Sequence, residues 1–257
     1  MGTIYDRAEI YDLLETPERE AVNLTHWKTL LAGKSIRSFL DVSIGSGNLT
    51  LSLCALGIQL SGSDLSREML SRCREKAAAR GISLPLYQAD FRHLDSVLAG
   101  QQFDCVGSTG NSLAYVTNEE IPGVLRQMDS CIRPGGWFYA DLRNWDQIVQ
   151  NRPRFYLYNP AFRGDVRINL VQAWDYLSDG SMDFNLLYTF ERENRIVQKE
   201  CFTEQYHPLP RRLLLDTLTA LGYQNTTLSC MPAQFTQHSP EEAEWYCVMA
   251  QKPESNL

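Results

Sequence analysis

The chain has 257 residues, 44% of them hydrophobic and 21% charged, enough apolar surface to offset ordering entropy and exclude a disordered or low-complexity chain. Its 24 basic and 31 acidic residues leave a formal charge of −7, and no Lys/Arg cluster marks a phosphate backbone as partner. Nucleic acid is therefore not the expected ligand. No run approaches the roughly 18 to 20 consecutive apolar residues of a spanning helix, no leader pattern is visible after Met1, and seven dispersed cysteines form no CxxC pair. These features predict a soluble, cytoplasmic chain.

Residues 1–34 read as an interrupted helical cover. Within them, residues 16–31 carry a Thr16 cap, Pro17 in the first turn, and Glu18 and Glu20 near the positive end of the helix. Residues 35–42 are a short β-favouring run that opens into the loop SIGSGN, 43–48. An apolar helix is expected over 49–56, stopped by Gly57, and a second strand over 58–64. Ser66 caps a helix rich in Ala, Arg and Glu that ends at Gly81. A third strand over 82–90 is assigned to an edge because of Pro85. The fourth covers 103–108. After a helix over 118–132, RPGG at 133–136 turns into a fifth strand, 137–142. This alternation specifies an α/β fold, a mainly parallel doubly wound sheet that binds ligands at the carboxyl ends of its strands.

The pattern changes after Leu142. Residues 166–177, 181–193 and 195–206 are rich in β-branched and aromatic residues and are joined by short turns, which predicts an antiparallel meander. The meander belongs to an insert, 151–206, expected to stand over the ligand end of the sheet. A helix over 210–223 and strands over 226–231 and 244–250 then restore the αβ order, so residues 1–257 read as one domain.

The strongest local feature is FLDVSIGSGNLT, residues 39–50: a strand ending at Asp41–Val42, a loop with Gly45 and Gly47, then a helix start. Glycines there let the backbone approach a ligand. Ser43 and Asn48 stand where a dinucleotide fingerprint needs glycine, which argues against a nicotinamide oxidoreductase. Asp64 ends the second strand, placed to accept hydrogen bonds from a ribose diol, and Asp90 ends the third. The structural alternative is that both aspartates only cap helices.

This arrangement resembles the class I S-adenosylmethionine-dependent methyltransferases. The resemblance implies a seven-stranded mixed sheet of order 3-2-1-4-5-7-6 with the antiparallel β insert after strand 5, and S-adenosylmethionine as methyl donor with S-adenosylhomocysteine as product. It implies that Asp41 and the glycine loop hold the methionine portion, Asp64 the ribose, and Asp90 with Phe91 the adenine. The full donor-binding set expected is Tyr11, Trp27, Asp41, Ser43, Gly45, Gly47, Asn48, Asp64, Leu65, Met69, Asp90, Phe91, Ser108, Gly110 and Ser112. Two further segments, STGNSLAYV at 108–116 and IRPGGWFYADLRNWDQIV at 132–149, are similar to the glycine N-methyltransferase group, including the bacterial glycine and sarcosine methyltransferases. That likeness implies that Asn111 and Arg143 bind the carboxylate of a small amino acid, with Tyr158, Tyr188 and Tyr206 lining the amine and sulfonium region. It also admits a homo-oligomer. The first loop reads VSIGSG where the group has VACGTG, and Tyr115 stands where it commonly has His.

Physical chemistry gives Arg143 a reason of its own. At the end of strand five it points to the ligand crevice, and a guanidinium matches a carboxylate through two charge-assisted bonds. The structural alternatives are an internal pair with Asp141 or Asp146, and an Asn111 that only caps a turn. His26, His93, His207 and His238 are too dispersed for a metal site, so no metal is expected. The leading expectation is an N-methyltransferase of a small carboxylate-bearing amine. The alternatives are a methyltransferase of another small, aromatic metabolite and a donor-binding regulatory protein without turnover.

Overall fold

The structure, a computed structural model, describes residues 2–237 and 239–254, so that His238 lies outside the described residues. Strands β1 (Ser38–Asp41), β2 (Gln59–Asp64), β3 (Leu86–Gln88), β4 (Phe103–Ser108) and β5 (Ile132–Arg143) run parallel. The insert supplies β6 (Phe155–Leu157), β7 (Ala161–Arg163), β8 (Val166–Tyr176), β9 (Met182–Arg192) and β10 (Arg195–Tyr206). Finally β11 (Gln224–Cys230) and β12 (Trp245–Gln251) close the main sheet as an antiparallel pair, β12 lying against β5. The order β11-β12-β5-β4-β1-β2-β3 is 3-2-1-4-5-7-6 in the numbering of the main sheet's strands, as the sequence predicts.

Period-two alternation distributes the core. Leu40, Val106, Phe138 and Val248 face one side of the sheet, while Phe39, Cys105, Tyr139 and Met249 face the other. The first side continues without a break into Ile168, Leu170, Trp174, Phe184 and Phe202 of the insert. The helix Pro17–Leu31, capped by Thr16 through the Arg19 N–H, puts Trp27 into the second side.

Three local expectations need correction. Residues 51–56 form a 3-10 run rather than an α-helix, ended by Gly57 in the left-handed region. RPGG lies inside β5 as a bulge. The pairing with β4 shifts between Phe103↔Ile132 and Cys105↔Trp137, and Gly135 takes a φ of 72° to absorb the extra residues. The insert also has two short strands, β6 and β7, that pair with β8 and that the meander pattern misses. Among the described residues no helix is long and apolar enough to cross a membrane.

Candidate active site

A cavity of about 700 Å³ opens where β1, β2 and β4 end. The loop after β1 forms its floor. Gly45 and Gly47 both have positive φ, 54° and 82°, but they serve different needs. Gly45 lines the cavity and presents backbone to it. Gly47 does not line it; a Cβ there would stand 2.7 Å from Leu51 and 2.9 Å from the Cys73 sulfur, so this glycine seats the loop on the helix Arg67–Ala78.

Asp64 closes the next wall. One carboxylate oxygen accepts the Gly45 N–H at 2.8 Å and the other the Ser66 N–H at 2.9 Å, tying the two loops together while the carboxylate lines the cavity. Burial pushes its carboxyl above the usual range, against those backbone donors. Asp90 lines the cavity as well, yet it also caps the turn Phe91–His93 through the Arg92 N–H and grips the Arg92 guanidinium. That ion pair holds its carboxyl below the usual value. Capping and cavity lining therefore coexist at Asp90, whereas Asp64 caps no helix, the cap of Arg67–Ala78 being Ser66.

Of the other donor candidates, Tyr11, Ser43, Asn48, Leu65, Met69, Phe91, Gly110 and Ser112 line the cavity. Trp27, Asp41 and Ser108 do not. Trp27 is packed on the far face against Phe39 and Tyr139, its indole N–H donating to the Leu49 carbonyl. Asp41 is wholly buried beneath the loop, where it accepts from Thr50, Thr109 and the Ser43 N–H. Burial pushes its carboxyl up to about 6. Ser108 is buried against the Ser43 hydroxyl. Asp41 and Ser108 thus act on the cavity through Ser43 and Thr109. Asp141 has the same role near the end of β5, accepting the Gly110 N–H at 2.8 Å and the Tyr139 hydroxyl at 3.0 Å, with burial pushing it up to about 7.

The five residues expected at the reacting centre form a separate, closed cluster. Asn111, Arg143, Tyr158, Tyr188 and Tyr206 are not among the residues lining the cavity. Arg143 is 6% exposed, and its guanidinium donates to the Tyr158 hydroxyl at 3.1 Å and sits 4.8–5.6 Å from the ring centres of Tyr156, Trp174, Phe184 and Trp245. Neither suggested internal partner takes it: Asp141 is occupied as above, and Asp146 pairs with Arg211. The Asn111 side-chain oxygen accepts from the Arg143 N–H and the Trp145 indole, while its Nδ2 is buried with no partner among the described residues. Tyr188 is buried with its ring edge-on to Phe202. Tyr206 connects the two regions, its ring lying against Trp145 and Phe184 and its hydroxyl receiving the Tyr115 O–H at 2.7 Å.

Several wall residues are absent from the expected donor-binding and reacting-centre sets. The N-terminal segment brings Thr3, Tyr5 and Asp6 into the cavity, and Glu204 projects into it from β10. A signal for Glu204 does exist: along β10 the inward positions are Phe202, Glu204 and Tyr206, so a charge falls on the buried phase of the alternation. Asp12 fastens the N-terminal segment to the floor by accepting from Ser46 at 2.7 Å, Asn48 at 2.9 Å and Arg72 at 2.8 Å. Burial alone would raise its carboxyl, but those donors and Lys76 hold it below the usual value.

A family profile described as a methyltransferase domain matches residues 39–136, the region of the sheet that builds this cavity. The matched region and the sheet order are those of the class I S-adenosylmethionine-dependent methyltransferases. It is 31% identical over 113 residues to a glycine/sarcosine N-methyltransferase of Halorhodospira halochloris, a match covering 44% of this chain and 42% of that one. It is 25% identical over 218 residues to the glycine/sarcosine N-methyltransferase of Aphanothece halophytica, covering 83% and 75%. At about 30% identity the match thus spans under half the length of the curated relatives. In fold, the chain resembles an S-adenosylmethionine-dependent methyltransferase from Clostridium acetobutylicum, with TM-score 0.74, 16% identity, and coverage of 96% and 98% of the two chains.

Proposed function

We propose that this protein transfers a methyl group from S-adenosylmethionine to the nitrogen of a small amine, and that the acceptor carries a carboxylate, as glycine and sarcosine do. The cavity residues fit the donor chemically. Asp64 uses each carboxylate oxygen once for a backbone N–H and retains acceptor capacity for the two hydroxyls of a ribose. Phe91 offers an aromatic face to a base, and Gly45 and Gly110, both at positive φ, bring main chain to the remaining length of the ligand. Bound there, the donor supplies an electrophilic methyl on a sulfonium. The task of the chain is to exclude water and to hold the amine nitrogen in line, about 3 to 3.5 Å away, which removes much of the entropic share of the barrier.

The observation that carries the acceptor assignment is the Arg143–Asn111 pair: a buried guanidinium with no carboxylate partner among the described residues, beside a buried amide nitrogen with no acceptor. Four aromatic rings offset some of its desolvation, at about 0.5 to 2 kcal/mol each. A carboxylate would satisfy the rest. One observation favours a second reading, because the aromatic layer of Tyr115, Tyr206 and Trp145 links the cavity to the guanidinium rather than leaving an open path. An aromatic acceptor held by Tyr5, Tyr11 and Tyr115 inside the cavity would leave Arg143 as a packed post.

The test is a methyl-transfer screen over glycine, sarcosine, dimethylglycine, other amino acids, aromatic amines and phenols, following S-adenosylhomocysteine. We expect turnover to require the carboxylate. The matched amide should be poorer by at least about a hundredfold, since it leaves a buried guanidinium unpaired. Arg143→Lys should rescue little, an ammonium being unable to reproduce the bidentate fork. Turnover confined to aromatic acceptors without a carboxylate establishes the second reading instead. Donor binding with no product from any class identifies a binding protein.

A further inference from the structure

Glu204 is a buried carboxyl for which the described residues supply no cation. It is 4% exposed and lines the cavity from β10. Its Oε1 accepts the Ile4 N–H at 2.8 Å, and its Oε2 lies 3.4 Å from the Tyr115 hydroxyl. Among the described residues no Lys, Arg or His comes within ion-pair distance of it, although Glu200, four residues earlier on the same strand, does face Arg7 at 3.8 Å. A cation within reach of the strand is thus spent elsewhere.

Three tyrosines surround the free side of this carboxylate. The hydroxyls of Tyr5 and Tyr115 are 2.6 Å apart, and Tyr115 donates to Tyr206 at 2.7 Å. The rings follow the hydroxyls, with Tyr115 and Tyr206 centred 4.5 Å apart and Tyr5 set edge-on to Tyr115 at 5.8 Å. Asp6, on the same wall, adds a second acidic group. Burial raises the Glu204 carboxyl and all three phenols, so the hydroxyls stay protonated. One carboxylate oxygen, hydroxyl lone pairs and aromatic faces in a dry corner are the surroundings that three N–H bonds of an ammonium require.

We propose that Glu204, with Tyr5 and Tyr115 and with Tyr206 behind them, is the ammonium-recognition site of the acceptor and takes up its proton, so that the cavity reads an amine and not an alcohol. This rests on the reading of the protein as a small-amine methyltransferase and is independent of Arg143. An acceptor amine arrives protonated. Its proton passes to Glu204, directly or through the Tyr115 hydroxyl, and this frees the nitrogen lone pair for attack. The lone pair forms the new N–C bond while the electron pair of the breaking C–S bond stays on sulfur, giving a methylammonium. The Glu204 proton leaves for solvent when the N-terminal segment carrying Ile4 moves away.

The test is calorimetric and reads binding, not turnover. Wild type, Glu204→Gln and Glu204→Asp are titrated with two matched pairs, glycine against glycolate and benzylamine against benzyl alcohol, with and without S-adenosylhomocysteine. That thioether carries no sulfonium, so its own affinity tests the donor reading separately. It should change less than about threefold in Glu204→Gln, in which the amide oxygen still accepts the Ile4 N–H. We expect wild type to prefer the amine member of at least one pair by about tenfold or more, the range of a charge-assisted bond. Glu204→Gln should lose that preference and Glu204→Asp should keep some of it. No amine preference in wild type, or an undiminished one in Glu204→Gln at an unchanged melting temperature, overturns the proposal.

Discussion

At the scale of single residues, the acidic groups of the cavity divide by what surrounds them. Asp64 has two backbone donors and faces the ligand space, so Asp64→Asn turns one acceptor into a donor aimed at the Gly45 or Ser66 N–H. Donor affinity should fall by about 1.5 to 3 kcal/mol, the worth of hydrogen bonds to a charged group, and calorimetry with S-adenosylhomocysteine measures it. An unchanged dissociation constant removes Asp64 from ribose binding. Asp141 is buried further, and its carboxyl is pushed up to about 7 by desolvation. Its folded value thus lies above its unfolded one. Its stabilising contribution is complete below the unfolded value near 4 and is lost as pH rises through about 7. His26 runs the opposite way: burial pulls it down to about 4, so stability from this group is present above its ordinary value and lost as pH falls. Comparing urea midpoints of wild type and Asp141→Asn removes the histidine from the difference. The variant should gain on wild type as pH rises from 4 to 8, by at most about 1.4 kcal/mol per unit within the window. A pH-independent difference contradicts the assignment. The chemistry at strand ends was legible in the sequence because Asp41, Asp64 and Asp90 each follow a recognisable strand. Which of them reaches the cavity was not, since Asp41 is turned inward by Thr50 and Thr109, which no spacing rule connects to it.

At the scale of elements, the loop after β1 and the N-terminal segment form one device. Gly47 has no room for a methyl group and a φ no L-residue favours, so Gly47→Ala should cost about 1 to 3 kcal/mol in urea unfolding. Asp12 then pins the N-terminal segment to this loop through Ser46, Asn48 and Arg72, with Lys76 bonded to Asn48 beside it. Tyr5 and Tyr11 thereby line the cavity, and the Ser66 hydroxyl donates to the Tyr5 carbonyl. We propose that the segment is a cover that lifts for ligand exchange. Trypsin cleavage after Arg7 should slow several-fold when S-adenosylhomocysteine is bound. In Asp12→Asn, which loses the charge that draws Arg72 and Lys76, cleavage should be faster with and without it. Equal rates in wild type under both conditions argue against a cover. None of this is visible to periodicity: residues 4–14 form three single-turn pieces, Ile4–Asp6, Ala8–Tyr11 and Asp12–Leu14, too short for an amphipathic pattern, and their place is fixed by contacts distant in sequence. The meander is the converse case. Its three long strands announce themselves by alternation, and β8, β9 and β10 fall within a residue of the expected bounds, whereas three-residue β6 and β7 leave no period to read.

At the scale of the whole molecule, the decisive feature is that the insert has no core of its own. Its inward residues Trp174, Phe184 and Phe202 share one continuous apolar cluster with Phe138 and Leu142 of the main sheet and Trp145 of the helix after β5, and Trp174 stacks on Phe184 with centroids 4.3 Å apart. Arg143, the last residue of β5, reaches into this seam and touches rings from β6, β8, β9 and β12. Separating insert from sheet would strand these rings and the guanidinium in water or in a cavity, so neither layer is expected to persist alone. Unfolding in urea should then be one transition. Near-ultraviolet circular dichroism, weighted to the aromatic seam, and far-ultraviolet dichroism, weighted to the helices flanking the sheet, should give the same midpoint. Arg143→Leu should shift both curves together, because its side chain belongs to the shared cluster and not to either layer. A seam signal lost at lower urea than the helical signal would show the insert to be a separate folding unit, and it would also mean that the Arg143 box can open without unfolding the donor cavity.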